Sequence, residues 1–462
     1  GPVVSECQRI GEAITPLLKG QGTTINEEEK DSDLAPSDLT PVDIDFIVLE
    51  TGLDRVAVEA WVASSRMARD AAQSLAKHDY SDQYLLVQKY GRCFFYGLVR
   101  QGLANDLSGV LRESSANWQR SWRAALSANR VPNLNEEDLK LLVAALELLQ
   151  RLQQLDPVQN PNSDFARVLA HTPLPTTVAL DALAIFQERG LNDADALLKL
   201  IDHHPKSETS IKTFVRSVRV HQLVSGHDDL FKLLDKHLAT LATPRNSLLD
   251  FFSASNTDSG NELDSIAPLA TMTSADWISV ADETSTSAGQ ALQLQAWVEL
   301  EHPLTALHAR FISGQMKLPG VSGGELAALV KNNSTTIEKI LQGKLKVKDA
   351  DMTVPALHKT LRDLGRFMRT GVSMELALDL MNVDISTPGK ALRYGREYIY
   401  ERYRERFSER TARVVVDGLF NFAEPLVNGG IGMMMEVNSK KIPPGLWRND
   451  VEKYKLPLPD KV

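Results

Sequence analysis

Residues 90–139 read YGRCFFYGLVRQGLANDLSGVLRESSANWQRSWRAALSANRVPNLNEEDL, and the fold turns on how this stretch is parsed. Its spacing predicts two short amphipathic helices joined by a tight link at Gly102, with a third starting after Pro132. Gly102 suits the residue just past a helix end, where a left-handed backbone is needed and a side chain would be strained. Gly97 is costly inside a helix. Following three aromatic residues, it fits a place where a neighbouring helix comes close. Arg100 is placed to bond the last carbonyls of its own helix. Trp118 and Trp122 stand four residues apart on one helix face, which predicts a core stripe rather than a ligand platform. Nothing in the stretch has the composition of a catalytic centre. It is a packing cassette, and it points to an all-α chain.

Composition agrees with that reading. The chain has 462 residues, 43% of them apolar and 24% charged, the balance of an ordinary globular protein able to bury more than one core. A net charge of -9 argues against non-specific attraction to nucleic acid or anionic membrane. Cys7 and Cys93 are the only cysteines. So few, and so far apart, they define neither a disulfide framework nor a zinc pattern, and are expected to be unpaired thiols. No apolar run reaches the ~18 residues of a membrane helix, and no signal peptide opens the sequence. The Gly1-Pro2 start and the KLPLPDKV end suggest cut points in something longer.

Taken in order, the chain predicts helix after helix. Ser5 caps a first helix over 4–18 with Ile10, Ile14, Leu17 and Leu18 at helical spacing. The acidic segment GQGTTINEEEKDSDLAPSD follows as a linker. Its consecutive Glu27, Glu28 and Glu29 are a solvated run, because a calcium loop needs spaced oxygens around a glycine. Thr40, Pro41 and Asp43 open the next helix, and Gly52 closes it. Asp54 caps a helix over 55–75 with Val58, Trp61, Val62, Met67 and Ala68 as its stripe, and another helix is predicted over 84–102. Asn135 and Asp138 resemble a capping box. The helix beyond, apolar nearly all round, should be central.

The segment DPVQNPNSD, with two prolines, marks a lobe boundary. Helices are predicted over 163–170, 175–189, 193–203, 207–225 and 228–241, and again within 273–313 behind Thr273 and Asp276. Residues 253–263 and 319–324 are expected loops. Residues 389–416 predict one long, rigid helix. Glu397, Glu401, Glu405 and Glu409 form a charged stripe, with Arg402, Arg406, Arg410 and Arg413 beside it. Tyr400, Tyr403, Phe407, Thr411 and Val414 form the packing stripe. The four glutamates disfavour nucleic-acid binding there. Met433–Met435 and a proline-rich tail come last. The organisation expected is thus a helix and acidic linker over 1–35, lobes over 36–156 and 157–388, and a charged helix with tail over 389–462. Sustained alternation of apolar and polar residues is missing, so almost no sheet is expected.

Chemistry-bearing motifs are scarce. The sequence contains no GxxxxGK[ST], HExxH, GxSxG or CxxC. The glycine loops GQGTTI and GVSGGE do not follow strands and make poor phosphate cradles. His203 and His204 close a helix before Pro205, where they favour its dipole. A metal would need a third ligand, and His221, His227 and His237 lack ligand spacing. His302, His308 and His358 are isolated and structural. No catalytic, cofactor-binding or metal-ligating residue is assigned, and no cofactor is expected.

Several segments resemble one known family. FFYGLVRQGLANDLSGVL is similar to a FYGLLRQGLP-type segment of the A subunits of insecticidal toxin complexes (Tc toxins) and of virulence-plasmid A proteins. Gly1–Leu18, LTPVDIDFIVLETGLD, AALSANRVP, FVRSVRVHQLVSGHDDL, MTSADWISVA and HPLTALHARFISG resemble further segments in the family's order, spread over about residues 1–370. Residues 390–462 match poorly. The resemblance implies part of an α-helical shell around a translocation channel, hence a non-enzymatic role as a shell fragment or shortened relative. It implies a homo-oligomer, pentameric in the full-length family, with other toxin-complex subunits and a cell-surface receptor as partners. No nucleic acid and no membrane contact by this segment are expected, and the setting would be bacterial, secreted or cell-surface. The alternative class is a stand-alone helical adaptor that binds a peptide or partner helix. An unrecognised helical enzyme is the remaining class.

Overall fold

A computed structural model describes residues 4–20, 36–224, 227–241, 263–317, 332–344 and 355–429, together with 322, 325 and 328. Among these residues every regular element is a helix and there is no strand. The acidic run at 27–29, the loops at 253–262 and 319–321, and the methionines and tail beyond 429 lie outside the described residues. By backbone proximity the chain forms two compact units, Gly1–Arg167 and Val168–Val462.

The first unit holds α1 (Glu6–Gly20), α2 (Pro41–Thr51), α3 (Arg55–Lys77), α4 (Ser81–Arg100), α5 (Leu107–Arg112), α6 (Ser115–Ser127) and α7 (Glu136–Gln154). Local sequence chemistry sets most of the ends. Ser5 and Gln8 bond reciprocally at the start of α1. Thr40 and Asp43 make a complete capping box for α2, and Gly52 ends it at φ 66°. Asp54 occupies the N-cap of α3 but makes no side-chain cap bond. Asn135 accepts from the Asp138 N–H at 2.7 Å. The return bond of that pair goes from the Asn135 side-chain amide to the Asp138 carboxylate, not from the backbone.

α3 and α4 pack along much of their length, and α7 lies against α3, α4, α5 and α6. Leu142, Val143, Leu146, Leu149 and Leu152 of α7 are all buried, as a central helix requires. Of the α3 stripe, Val58, Trp61, Val62 and Met67 are buried and Ala68 is partly covered.

The opening cassette matches the helix expected over 84–102 and differs in the number of helices after Gly102. α4 is a 20-residue helix, and two helices, α5 and α6, stand between Gly102 and Pro132. Asp106 and Ser114, each accepting a backbone N–H three residues on, cut that interval into two. Gly102 has φ 75° and its N–H reaches the Val99 carbonyl, the expected helix stop. A methyl on Gly97 would meet Val131 at 3.1 Å, Ala125 at 3.2 Å and Trp122 at 3.4 Å, so this glycine does admit α6. Arg100 departs from its expected role. Its Nε donates to Glu6 of α1 at 2.8 Å, and the Arg100 carbonyl is served by Arg130 at 2.6 Å.

The second unit begins inside α8 (Asp164–His171) and continues with α9 (Thr176–Arg189), α10 (Ala194–Leu198), α11 (Leu200–His203), α12 (Glu208–Val224) and α13 (Asp228–Leu241). The helix predicted over 193–203 is broken at Lys199 into α10 and α11. Then come α14 (Ser274–Asp282), α15 (Ala288–Glu301), α16 (Pro303–Ile312), α17 (Ser334–Leu341), α18 (Pro355–Met368) and α19 (Met374–Met381). α14 and α15 carry complete capping boxes, Thr273 with Asp276 and Ser287 with Gln290.

The long rigid helix over 389–416 does not form. That segment is α20 (Pro388–Tyr394), α21 (Arg396–Arg404) and the start of α22 (Glu409–Gly429). Gly395 takes φ 85°, outside helical geometry, and Ser408 accepts the Thr411 N–H to start a new helix. The breaks let α20 and α21 fold back on α22, which a straight rod could not do. Tyr400, Tyr403 and Thr411 are buried, while Val414 of the expected packing stripe is 38% exposed. Arg406, expected on a solvated face, turns instead toward α19.

Candidate functional site

The greatest concentration of buried chemistry-bearing side chains described lies in the second unit, where α14, α15, α16 and α19 meet. Glu299 and Gln295 come from α15, Arg310 from α16, Glu375 from α19 and Ser274 from the first turn of α14. All five are buried, Glu299 to 0% exposure and Glu375 to 1%. Glu299 accepts the Met374 N–H at the start of α19 at 2.5 Å. Glu375, one residue further along α19, accepts the Ser274 N–H at the start of α14 at 2.5 Å. Each carboxylate thus caps another helix's N-terminus, where unpaired N–H groups and the dipole favour negative charge.

Arg310 binds the two acids together. It lies 3.2 Å from Glu299 and 3.8 Å from Glu375, and donates to the Met272 carbonyl at 2.7 Å. Gln295 donates to both carboxylates and accepts from the Ser274 hydroxyl. Arg406 reaches in from the end of α21 to Glu375 and Asp379, and Gln315 adds a bond to Glu375 at 3.2 Å.

The two acids titrate in opposite directions. Burial pushes Glu299 up to about 7, against the pull of Arg310 and the Met374 N–H. Burial pulls Glu375 the same way, but Arg310, the Ser274 N–H and Arg406 outweigh it and hold that acid below the usual range. Two carboxyl groups driven apart in this way are what general acid–base catalysis uses. Here the pair is sealed, and each oxygen is committed to protein donors. The arrangement ties helices together.

A second cluster contains serine, histidine and aspartate, the components of a nucleophilic triad. Asp235 of α13 sits at its centre, 3.0 Å from the His171 ring, 3.1 Å from the Ser217 hydroxyl and 3.3 Å from Arg216. Thr172 bonds Ser217 at 2.6 Å. In a triad the histidine stands between serine and acid so that it can take the hydroxyl proton. Here the acid stands between them, and Ser217 is fully buried. The cluster holds α8, α12 and α13.

Among the histidines singled out by sequence, His204 bonds Asp181 at 2.6 Å and the His203 ring faces the Lys199 carbonyl at 3.5 Å, so the two adjacent rings go to different partners. His221 is buried with its ring packed edge-on against Phe231. Among the described residues no group of three His, Cys, Asp or Glu side chains could hold a metal. Among them, too, no helix is long and apolar enough to cross a membrane. Trp118 and Trp122 are buried, with the Trp118 ring N–H on the Val110 carbonyl at 2.8 Å and Trp122 stacked on Phe94.

One exposed feature stands apart from these closed networks. Along α2, Val42 is 75% exposed, Phe46 42% and Leu49 80%, at spacing i, i+4, i+7. The sequence reading treated α2 only as a capped helix and passed over this outer stripe. The signal was there: apolar residues fill two faces of α2, and only Ile44 and Ile47 are buried.

Burial sets a pH response for the second unit. Burial, then Arg219, pushes His302 down to about 4, and burial pushes His308 down to about 4. Between pH 6.5 and 4.5 the unfolded chain takes up protons at these histidines that the folded chain refuses, so acidification costs stability. Glu299 has the opposite sign, because the folded state protonates it from about pH 7 downward and the unfolded state only near 4.5. Two histidines against one acid give a net loss. The urea midpoint of the second-unit transition should fall as pH falls from 6.5 to 4.5. His302→Gln with His308→Gln should abolish or reverse that fall, and an unchanged slope in the double variant would refute the assignment.

No protein-family model, curated protein or solved structure matches this chain.

Proposed function

We propose that this chain is a non-enzymatic structural and interaction segment, the α-helical shell part of a protein akin to toxin-complex A subunits, supporting assembly of a translocation complex. The observation that carries the reading is a contrast. The acid–base groups of the core are spent on one another and on helix ends, while α2 turns an apolar stripe outward. That is the distribution expected of a part that packs and assembles. The segments that resemble the toxin-complex family serve the same end in this fold. FFYGLVRQGL supplies the close approach at Gly97, and MTSADW supplies the capping box of α14. In this reading the occupant of the α2 stripe is a second copy of the chain.

The test is the mass in solution of the natural full-length protein. A pentamer is expected, and Val42→Ser, Phe46→Ser and Leu49→Ser together should shift it toward monomer, because Val42 and Leu49 are mostly solvated in the single chain, Phe46 is partly so, and none of the three belongs to its buried core. A wild-type protein that stays monomeric across micromolar concentrations would overturn the reading. The same stripe favours a second one, a stand-alone adaptor, since i, i+4, i+7 anchors are what a helix offers to a groove. That reading predicts a monomer at all concentrations whose affinity for a partner with an apolar groove falls with the triple substitution.

A further inference from the structure

We propose that Cys7 and Cys93 form a thiol–disulfide exchange site, which a low-molecular-weight disulfide such as oxidised glutathione converts into an intramolecular cross-link between α1 and α4. Spacing alone offers no reason to pair two cysteines 86 positions apart. The fold brings their sulfurs to 3.2 Å, close enough for a sulfur–sulfur bond to form with a small shift of side chains. Both thiols are free in this structure.

The surroundings hold the two sulfurs in register. Beside Cys7, Glu6 binds the Tyr96 hydroxyl and Arg100 of α4. Tyr96 and Arg100 lie three and seven residues beyond Cys93, on the same face of α4. From the other side, the N–H groups of Glu6 and Cys7 donate to the Asn129 and Arg130 carbonyls at 3.0 and 2.9 Å. The first turn of α1 is therefore fixed on α4 before any covalent bond is made.

The two sulfurs also differ in access. Cys7 is buried, whereas Cys93 is partly exposed. The hydrogen bond between the two draws the Cys93 thiol below its ordinary range, with help from Arg92 and against burial. The same hydrogen bond, then burial, pushes Cys7 up. Cys93 is thus the attacking sulfur and Cys7 the resolving one.

The chemistry balances without a metal. The Cys93 thiolate attacks one sulfur of the small disulfide, forms a mixed disulfide and expels one thiolate. Cys7 gives up its proton and attacks the Cys93 sulfur, which forms the Cys7–Cys93 bond and expels the second thiolate. The two protein thiols are oxidised, and the small disulfide is reduced to two thiols.

The test uses the full chain incubated with defined ratios of oxidised to reduced glutathione, acid-quenched and read by intact mass and non-reducing peptide mapping. Wild type should lose about 2 Da and yield one cross-linked peptide pair, reversibly on adding reductant. Its thermal midpoint should rise by roughly 5 °C in the oxidised form. Cys7→Ser should stop at a glutathione adduct on Cys93, because the resolving sulfur is gone. Cys93→Ser should leave Cys7 unmodified. Failure of wild type to form the cross-link in excess oxidised glutathione, or a lasting adduct on wild-type Cys93, would overturn the proposal. Both wild-type readouts hold even where a serine variant fails to fold.

Discussion

Arg310→Met should destabilise the second unit by about 3–5 kcal/mol, the usual cost of removing one partner from a buried charge network. Methionine fills much of the same volume, so little of the loss comes from a cavity. The penalty comes from what remains: Glu299 and Glu375, both buried, lose the cation that lies 3.2 and 3.8 Å from them. The Met272 carbonyl loses its guanidinium donor as well. Glu375 keeps Arg406 and the Ser274 N–H, so the strain falls mainly on Glu299.

That asymmetry gives the variant a pH signature. Glu299 is already raised to about 7 with Arg310 present. Without the cation it should rise further above its unfolded value. A raised acid contributes stability below its folded pKa and loses it as pH climbs through that value. The deficit of Arg310→Met against wild type should therefore be larger at pH 8 than at pH 6. Urea unfolding followed by far-UV circular dichroism and tryptophan emission at both pH values measures it. A deficit below about 1 kcal/mol, or one independent of pH, would mean that the network does not hold these helices together.

Much of the fold was legible because its signals are local. Thr40 and Thr273 were legible as helix starts with an aspartate in the first turn, and the structure completes each pair into a capping box. Gly52 and Gly102 stop helices at positive φ, as glycine after an amphipathic run should. The error at 389–416 is instructive for the same reason. An i, i+4 ladder of glutamate and arginine contributes only a few tenths of a kcal/mol per pair. Gly395 at positive φ and Ser408 as an N-cap break the segment, and pairs that weak do not offset them.

The buried networks were illegible for a different reason. Glu299, Arg310, Glu375 and Arg406 are four charged residues of unremarkable context, and each alone predicts a solvated surface position. What makes them a site is which helices meet, and helical periodicity is silent on that. Cys7 and Cys93 are free thiols as expected, but their 3.2 Å approach was illegible in the same way, since sequence separation says nothing about the distance between two docked helices. Arg100 shows the limit on a smaller scale. Its position predicted the helix's own carbonyls, and it went to a carboxylate on α1 that outcompetes them.

Trp118→Ala should cost the first unit about 3–5 kcal/mol, the range for deleting a buried large aromatic. The side chain is fully buried on α6, in the region where Gly97 lets α4 and α6 approach. Packing that close cannot slide to fill the void, because Gly97 already sits near Val131, Ala125 and Trp122. The cavity should therefore persist and keep its full cost. Trp118→Phe separates packing from hydrogen bonding. It keeps most of the apolar volume and loses the ring N–H that donates to the Val110 carbonyl. That carbonyl also accepts the Glu113 N–H at 3.0 Å, so it is not orphaned. The phenylalanine variant should lose only about 1–2 kcal/mol. Urea denaturation of both variants, read by far-UV circular dichroism, distinguishes the outcomes. Equal losses would mean that the hydrogen bond, and not the packed ring, anchors α6. Negligible loss in the alanine variant would mean that the cassette can collapse around the gap and that Gly97 does not fix the helix spacing.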